Sequence, residues 1–199
     1  AVINYITLYA KGTLTLGSNA DTPVTDIVTV GANDAGRTGV SFLKVDFTAA
    51  RESVDVKAIT IDRVLNADVD FASVSLWDGA TQLGVNQVLV NSGLDNSSTT
   101  FTFAAGSYWR IPSGTTKTLT VKANLAGVKT ADQGGVTSGD TVKLCLASST
   151  DAIGASSGNT ISANTASICG NYQILYKSKP TIAAASLPST VFGAETKTL

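Results

Sequence analysis

The chain has 199 residues, 43% of them hydrophobic and 15% charged, and its 14 Lys and Arg against 15 Asp and Glu give a net charge of −1. Such a chain has no basic field with which to displace counterions, which excludes an electrostatic route to nucleic acid or to an anionic membrane. Histidine is absent, so the usual Ser-His-Asp and Cys-His forms of catalysis are excluded together with the commonest metal ligand.

Residues 1–10 carry apolar side chains on both faces of an extended segment, Val2, Ile6 and Leu8 on one and Ile3, Tyr5 and Tyr9 on the other. A strand covered on one side alternates with polar residues, so this one requires cover on both sides or a partner. Left free at a terminus it is an aggregation hazard. These six side chains are the candidate subunit contact. Ala1 opens directly into this pattern, and the sequence reads as a mature or trimmed form. No apolar run approaches 18 residues, so no membrane insertion is expected.

Two short strands are predicted around Thr13–Leu16 and Asp26–Val30, separated and followed by turn-rich pieces. The clearest strand then follows, with Leu43, Val45, Phe47 and Ala49 on one face and Lys44, Asp46 and Thr48 opposite. Arg51-Glu52 is a polar break. Val54 and Val56 resume the alternation, and its phase slips near Ala58-Ile59, as a β-bulge makes it do. Strands at Ser73–Trp77 and Ala80–Gly84 flank Asp78-Gly79, a signature of a two-residue type I′ hairpin turn. Gln87–Val90, Thr99–Phe103, Tyr108–Ile111, Lys117–Ala123, Thr141–Leu146 and Cys169–Tyr176 complete the set. Residues 148–164 are nearly all Ser, Thr, Gly, Ala and Asn and read as loop with one weak strand at most. About ten strands at this spacing, with no helical period, predict an all-β fold, an antiparallel Ig-like or jelly-roll-like β-sandwich with extending terminal strands.

The two cysteines, Cys145 and Cys169, are expected to form a disulfide on the face away from Val142, Leu144 and Leu146; the alternative is two buried thiols. Closing the loop of 23 intervening residues would contribute about 3 kcal/mol. Asp46, Asp55 and Asp62 fall on polar strand phases, where solvated side chains are expected rather than the paired carboxylates of a glycosidase. Asn66, Asp68 and Asp70 alternate as Ca²⁺ ligands do, but without the Gly and terminal Glu of an EF-hand loop they read as a solvated loop. Asp21, Asp26 and Asp34 sit among turn residues, where Asp belongs for backbone reasons. Trp77 and Trp109, with Tyr108, are candidates for a sugar-stacking platform, with core or cross-strand packing the expected role of each. Asn96-Ser97-Ser98 is an acceptor sequon for N-glycosylation, so a glycan at Asn96 is a candidate modification. The chain is expected not to be an enzyme and to need no cofactor or metal.

One pattern occurs twice. Asn4-Tyr5-Ile6-Thr7-Leu8-Tyr9-Ala10-Lys11-Gly12-Thr13-Leu14 matches Asn171-Tyr172-Gln173-Ile174-Leu175-Tyr176-Lys177-Ser178-Lys179-Pro180-Thr181-Ile182 with one inserted residue, 167 to 168 positions apart. A strand that ends one unit and a junction that opens the next would repeat in this way. The expected organisation is therefore an N-terminal strand at 1–10 (a candidate donor strand), a β-sandwich domain over 11–177, and a C-terminal extension at 178–199 resembling the start of a following unit. The run Val40–Val56, the segment Val74–Gly79 and the run Ile111–Ala123 resemble repeats in large prokaryotic cell-surface proteins of the surface-layer or filament kind. The resemblance covers roughly 40–177. It implies Ig-like sandwich domains strung along secreted or surface proteins, with no catalytic or cofactor residues to carry over.

The leading functional expectation is a structural subunit of an extracellular filament or surface array, assembled head-to-tail by exchange of terminal strands with copies of itself. The alternative is an adhesin or carbohydrate-binding module from a tandem-domain cell-surface protein.

Overall fold

The computed structural model describes residues 11–32, 36–64, 70–89, 97–129, 136–163, 166–180 and 182–183. The candidate contact side chains Val2, Ile3, Tyr5, Ile6, Leu8 and Tyr9 lie outside the described residues, as do Asp34, Asn66, Asp68, Asn96, Thr181 and 184–199.

The described residues form a two-sheet β-sandwich. Its strands are β1 (Thr13–Ser18), β2 (Ile27–Thr29), β3 (Arg37–Ala50), β4 (Val54–Val64), β5 (Phe71–Asp78), β6 (Thr81–Gln87) and β7 (Ser98–Thr102), followed by β8 (Trp109–Ile111), β9 (Thr116–Leu125), β10 (Thr141–Gly154), β11 (Thr160–Ser162), β12 (Ile168–Cys169) and β13 (Gln173–Tyr176). The first sheet has the order β1-β3-β9-β5-β6, and the second runs β2-β13-β10-β4-β7, with β11 and β12 also on β10 and β8 on β4. All of these pairs are antiparallel except β2 with β13, which is parallel. The count exceeds the expected ten because several short strands share one long partner: β10 carries β13, β12 and β11 in turn along one side.

Alternation decides which face is covered. On β3, Leu43, Val45, Phe47 and Ala49 are fully buried while Lys44, Asp46 and Thr48 are half-buried on the outer face. On β4, Val54 and Val56 point inward, Lys57 is the extra residue of a bulge, and Ile59 and Ile61 carry the inward face onward. From the opposite sheet, Leu119 and Val121 of β9 and Leu76 of β5 meet them. Each such side chain contributes about 1.5–3 kcal/mol on leaving water.

Three local expectations are corrected. Residues 148–154 belong to β10, not to a loop, and 160–162 form β11. Their small polar side chains carry no strand signal, and it is the ladder offered by β4 that holds this half of β10 extended. The hairpin after β5 turns on Gly79-Ala80, since Asp78 pairs with Thr81. Gly79 has φ +59° and Ala80 is not among the positive-φ residues, which is the type II′ pattern, not type I′. Residues 88–89 lie beyond β6, outside any strand.

Trp109 packs edge-to-face on Phe47 with ring centroids 4.9 Å apart, joining β8 of the second sheet to β3 of the first. Phe47→Ala should therefore destabilise the protein by about 3–5 kcal/mol, read as a lower midpoint in denaturant unfolding; a loss under about 1 kcal/mol would show that this contact does not hold the sheets together.

Candidate functional site

The described residue nearest the N-terminal segment in chain order is Lys11, and the backbone just after it is held by one side chain. Glu52 sits at the corner where β3 leaves the first sheet and β4 enters the second, and it is 8% exposed. Its Oε1 accepts from the Gly12 N–H at 2.9 Å and from the Ser157 hydroxyl at 2.8 Å, and its Oε2 accepts from the Ser157 and Ser156 N–H groups at 3.0 and 3.2 Å. One carboxylate thus ties the start of β1 to the turn between β10 and β11, across the open side of the sandwich. The fit leaves no room for extra atoms. A Cβ on Gly12 would lie 2.6 Å from Glu52 Cγ, and one on Gly154 would overlap Glu52 Oε1 and the Ser157 hydroxyl. Arg51, the preceding residue, is the sole non-glycine with positive φ among the described residues (φ 72°), a conformation that persists only where its surroundings enforce it. Beside this clasp a cleft of about 290 Å³ is lined by Lys11, Gly12, Thr13, Leu14, Arg51, Ile161 and Ser162.

The hydrogen bonds from Ser157, first its hydroxyl and then its N–H, and that from Gly12 outweigh the cost of burial and hold the Glu52 carboxyl below the ordinary glutamate range. At the C-terminal end of β5, burial raises the Asp78 carboxyl but is overcome by Lys117 Nζ at 2.8 Å and by the Trp109 indole N–H at 3.0 Å, leaving it lowered. Because Trp109 belongs to the second sheet and Asp78 to the first, that bond is a second tie between them.

The sheet edges differ in what they expose. β1 presents Thr13 and Thr15, and β7 presents Thr100 and Thr102. Next to β2, Lys179 pairs with Asp26 at 3.1 Å, and on β8 Arg110 holds Asp55 at 2.7 and 2.8 Å. β6 is unlike these. Among the described residues it pairs with β5 alone. Residues 81–89 carry no charge, and Val85 and Val88 are 69% and 62% exposed. Native edge strands usually carry charges, Pro or a bulge to block further pairing; here there is one bulge, between the rows of Val74 and Leu76.

Cys145 and Cys169 are joined by a disulfide between directly opposed positions of β10 and β12. It lies on the outer face, away from buried Val142, Leu144 and Leu146. Asp62 is opposite Cys145 on β4 and Ser98 opposite Asp62 on β7, so four polar or sulfur side chains form one row across four strands. Burial raises the Asp62 carboxyl. Asp46 accepts from the Asn19 amide and the Thr118 hydroxyl on the outer face of the first sheet. Asp46, Asp55 and Asp62 therefore do not converge, since Asp55 and Asp62 stand at opposite ends of β4 in the other sheet. Asp21 lies 3.6 Å from Lys44, and Asp26 accepts from the Ile27 N–H as a turn residue does. Asp70 is fully buried, not part of a solvated loop. Trp109 is core and Tyr108 packs against it. Trp77 is on the outer face, its N–H on the Ser75 hydroxyl and the Lys122 ammonium 4.2 Å from its ring centroid. The two tryptophans thus face opposite sides of the first sheet and form no common platform.

In the sequence alone Glu52 reads as part of a polar break. A signal was present in Gly12 and Gly154, whose missing side chains make room for it, but nothing in the sequence links the three positions.

No protein-family model matches the chain, and neither does any curated protein. Among solved structures it is similar to the seventh ScaB type I cohesin from Pseudobacteroides cellulosolvens, at 11% identity and a TM-score of 0.38 over 88% of this chain and 98% of that one. It is also similar to the CooA pilin subunit from enterotoxigenic Escherichia coli, at 11% identity and a TM-score of 0.25 over 84% and 99%. No helix among the described residues is long and apolar enough to cross a membrane.

The clasp has a pH signature. A carboxyl whose folded pKa lies below its unfolded value adds stability above the unfolded value, about 4.3 for Glu, and loses it as pH falls through the folded value. Glu52→Gln should therefore lower the thermal midpoint at pH 7 and make its decline between pH 5 and 2 shallower than in the parent protein. Parallel curves over that range would show that Glu52 is not held as described.

Proposed function

We propose that this protein is a structural subunit of an extracellular filament or surface array, built head-to-tail as copies exchange terminal β-strands. The observation that carries the reading is the contrast between two ends of one sheet: β1, where the Glu52 clasp fixes the root of residues 1–10, and β6, an uncharged edge with exposed valines. A segment that needs cover on both faces and an edge that, among the described residues, pairs with β5 alone are complementary in physical terms. Residues 11–177 are taken as the body that gives and receives strands, and 178–199 as an extension leading toward the next unit. The Cys145–Cys169 disulfide suits an oxidising, extracellular setting, and Asn96 is the site at which a glycan would be carried. In this reading the chain's partners are copies of itself and its work is mechanical, not catalytic.

Burying Ile3, Ile6 and Leu8 is worth about 1.5–3 kcal/mol each, and each ladder hydrogen bond adds about 1 kcal/mol net of water. Ordering ten residues costs about 1–2 kcal/mol apiece, and association adds its own entropy. These gross quantities are of similar size, so the acceptor must cover both faces of the strand for assembly to be firm. A charge placed there unpaired cannot be buried. Ile6→Asp, Leu8→Asp and deletion of 1–10 should each abolish filaments or arrays in negative-stain micrographs while leaving the thermal unfolding of the body unchanged. Assemblies of normal length from the deletion variant would rule strand exchange out.

A further inference from the structure

Resting on that strand-exchange reading, we propose that the acceptor is the edge formed by β6 and the two residues after it, residues 81–89, of a second copy, and that its occupant is that copy's neighbour's segment 1–10.

The register of the first sheet excludes the chain's own β6. Ser18, Val45, Leu119, Asp78 and Thr81 form one row across all five strands. Gly12 precedes this row along β1, toward the Ala50 end of β3, whereas Val85 lies beyond it along β6, toward the Val40 end. Four strand spacings of 4.7–4.9 Å separate β1 from β6, about 19 Å. The offsets along the two strands are about 20 Å and, because the bulge sets Val85 opposite Ser75, about 10 Å at 3.3 Å per residue. With the twist between strands included, Gly12 and Val85 are about 29–36 Å apart. Ten residues span at most about 33–36 Å when fully extended. Reaching its own Val85 would consume nearly the whole segment and leave too little to form a ladder. The clasp makes this firm, because Glu52 fixes the Gly12 N–H and the root cannot shift across the sheet.

Among the edges described, β6 is the one whose chemistry fits this occupant. Residues 1–10 contain no charged side chain, and neither do 81–89. Pairing them leaves no ion without water or counterion, whereas docking at β2 or β8 would set an uncharged apolar strand against the Lys179–Asp26 or Arg110–Asp55 pair. Val85 and Val88 supply apolar cover that the threonines of β1 and β7 do not. Donor root and acceptor then lie on opposite edges of the same sheet. The contact is heterologous, and repeated it generates an open chain of copies rather than a closed dimer.

The test uses full-length chains with the native disulfide intact. A donor chain carrying Ile6→Cys is mixed with acceptor chains, tagged to differ in mass, that carry Val85→Cys, Thr100→Cys or Thr15→Cys. After assembly and mild oxidation, the donor–acceptor cross-link is quantified on non-reducing gels. Val85→Cys should cross-link at least tenfold faster than either of the other two. Equal or faster cross-linking at Thr100→Cys or Thr15→Cys overturns β6 as acceptor while leaving strand exchange intact. Cross-linking at none of the three edges overturns it too, and if Ile6→Asp chains also assemble normally, strand exchange fails with it.

Discussion

Every strand carries backbone donors and acceptors on two sides, and every one of them must be paired or wet. In this chain that constraint sets both the fold and its unfinished parts. β10 and β4 satisfy theirs by pairing with each other along one flank and borrowing several short partners along the other, which is why the thirteen strands of the described residues make only two sheets. The first sheet ends at β1 and β6. Burial and the Glu52 carboxylate organise the surroundings of β1, where one side chain gathers the Gly12 N–H and the β10–β11 turn. Among the described residues β6 has no such carboxylate tie, only the bulge that sets Gly84, Val85 and Asn86 against Ser75.

The electrostatics follow the same division. The low-lying carboxyls of Glu52 and Asp78 both bridge elements that the apolar core alone would leave splayed: Glu52 at the open side of the sandwich, Asp78 at the hairpin end between Trp109 and Lys117. Lys57 with Asp151 is an exposed pair, where screening keeps the contact worth little, whereas Asp55 is buried and Arg110 grips both of its oxygens. Charge in this protein therefore fixes corners and decorates faces. It is missing from the edge proposed to receive a strand.

Much of this architecture is legible in the sequence because alternation is a direct readout of a half-buried strand. Leu43 to Ala49, Leu119 to Ala123 and Val142 to Leu146 point inward as their period requires, and the phase slip beside Ala58 is a bulge at Lys57. What is not legible depends on partners distant in sequence. Ser148 to Gly154 carry no apolar alternation and are extended only because β4 lies beside them. The hairpin turn moves one residue past Asp78 because Asp78 pairs with Thr81 and reaches Trp109 and Lys117. Glu52 is indistinguishable from any exposed turn glutamate until Gly12, Gly154 and Ser157 are brought around it. The exposure of Val85 and Val88 is likewise invisible, since an apolar residue in a strand reads as core by default.

Amide hydrogen exchange on matched free and assembled samples tests the central claim most directly, because it reads the backbone pairing itself. Strand exchange onto β6 predicts that peptides covering 1–10 and 81–89 gain protection together on assembly, with those covering β1 and β7 unchanged. Protection that appears at β1 or β7 while 81–89 exchanges as fast as in the free protein would contradict it.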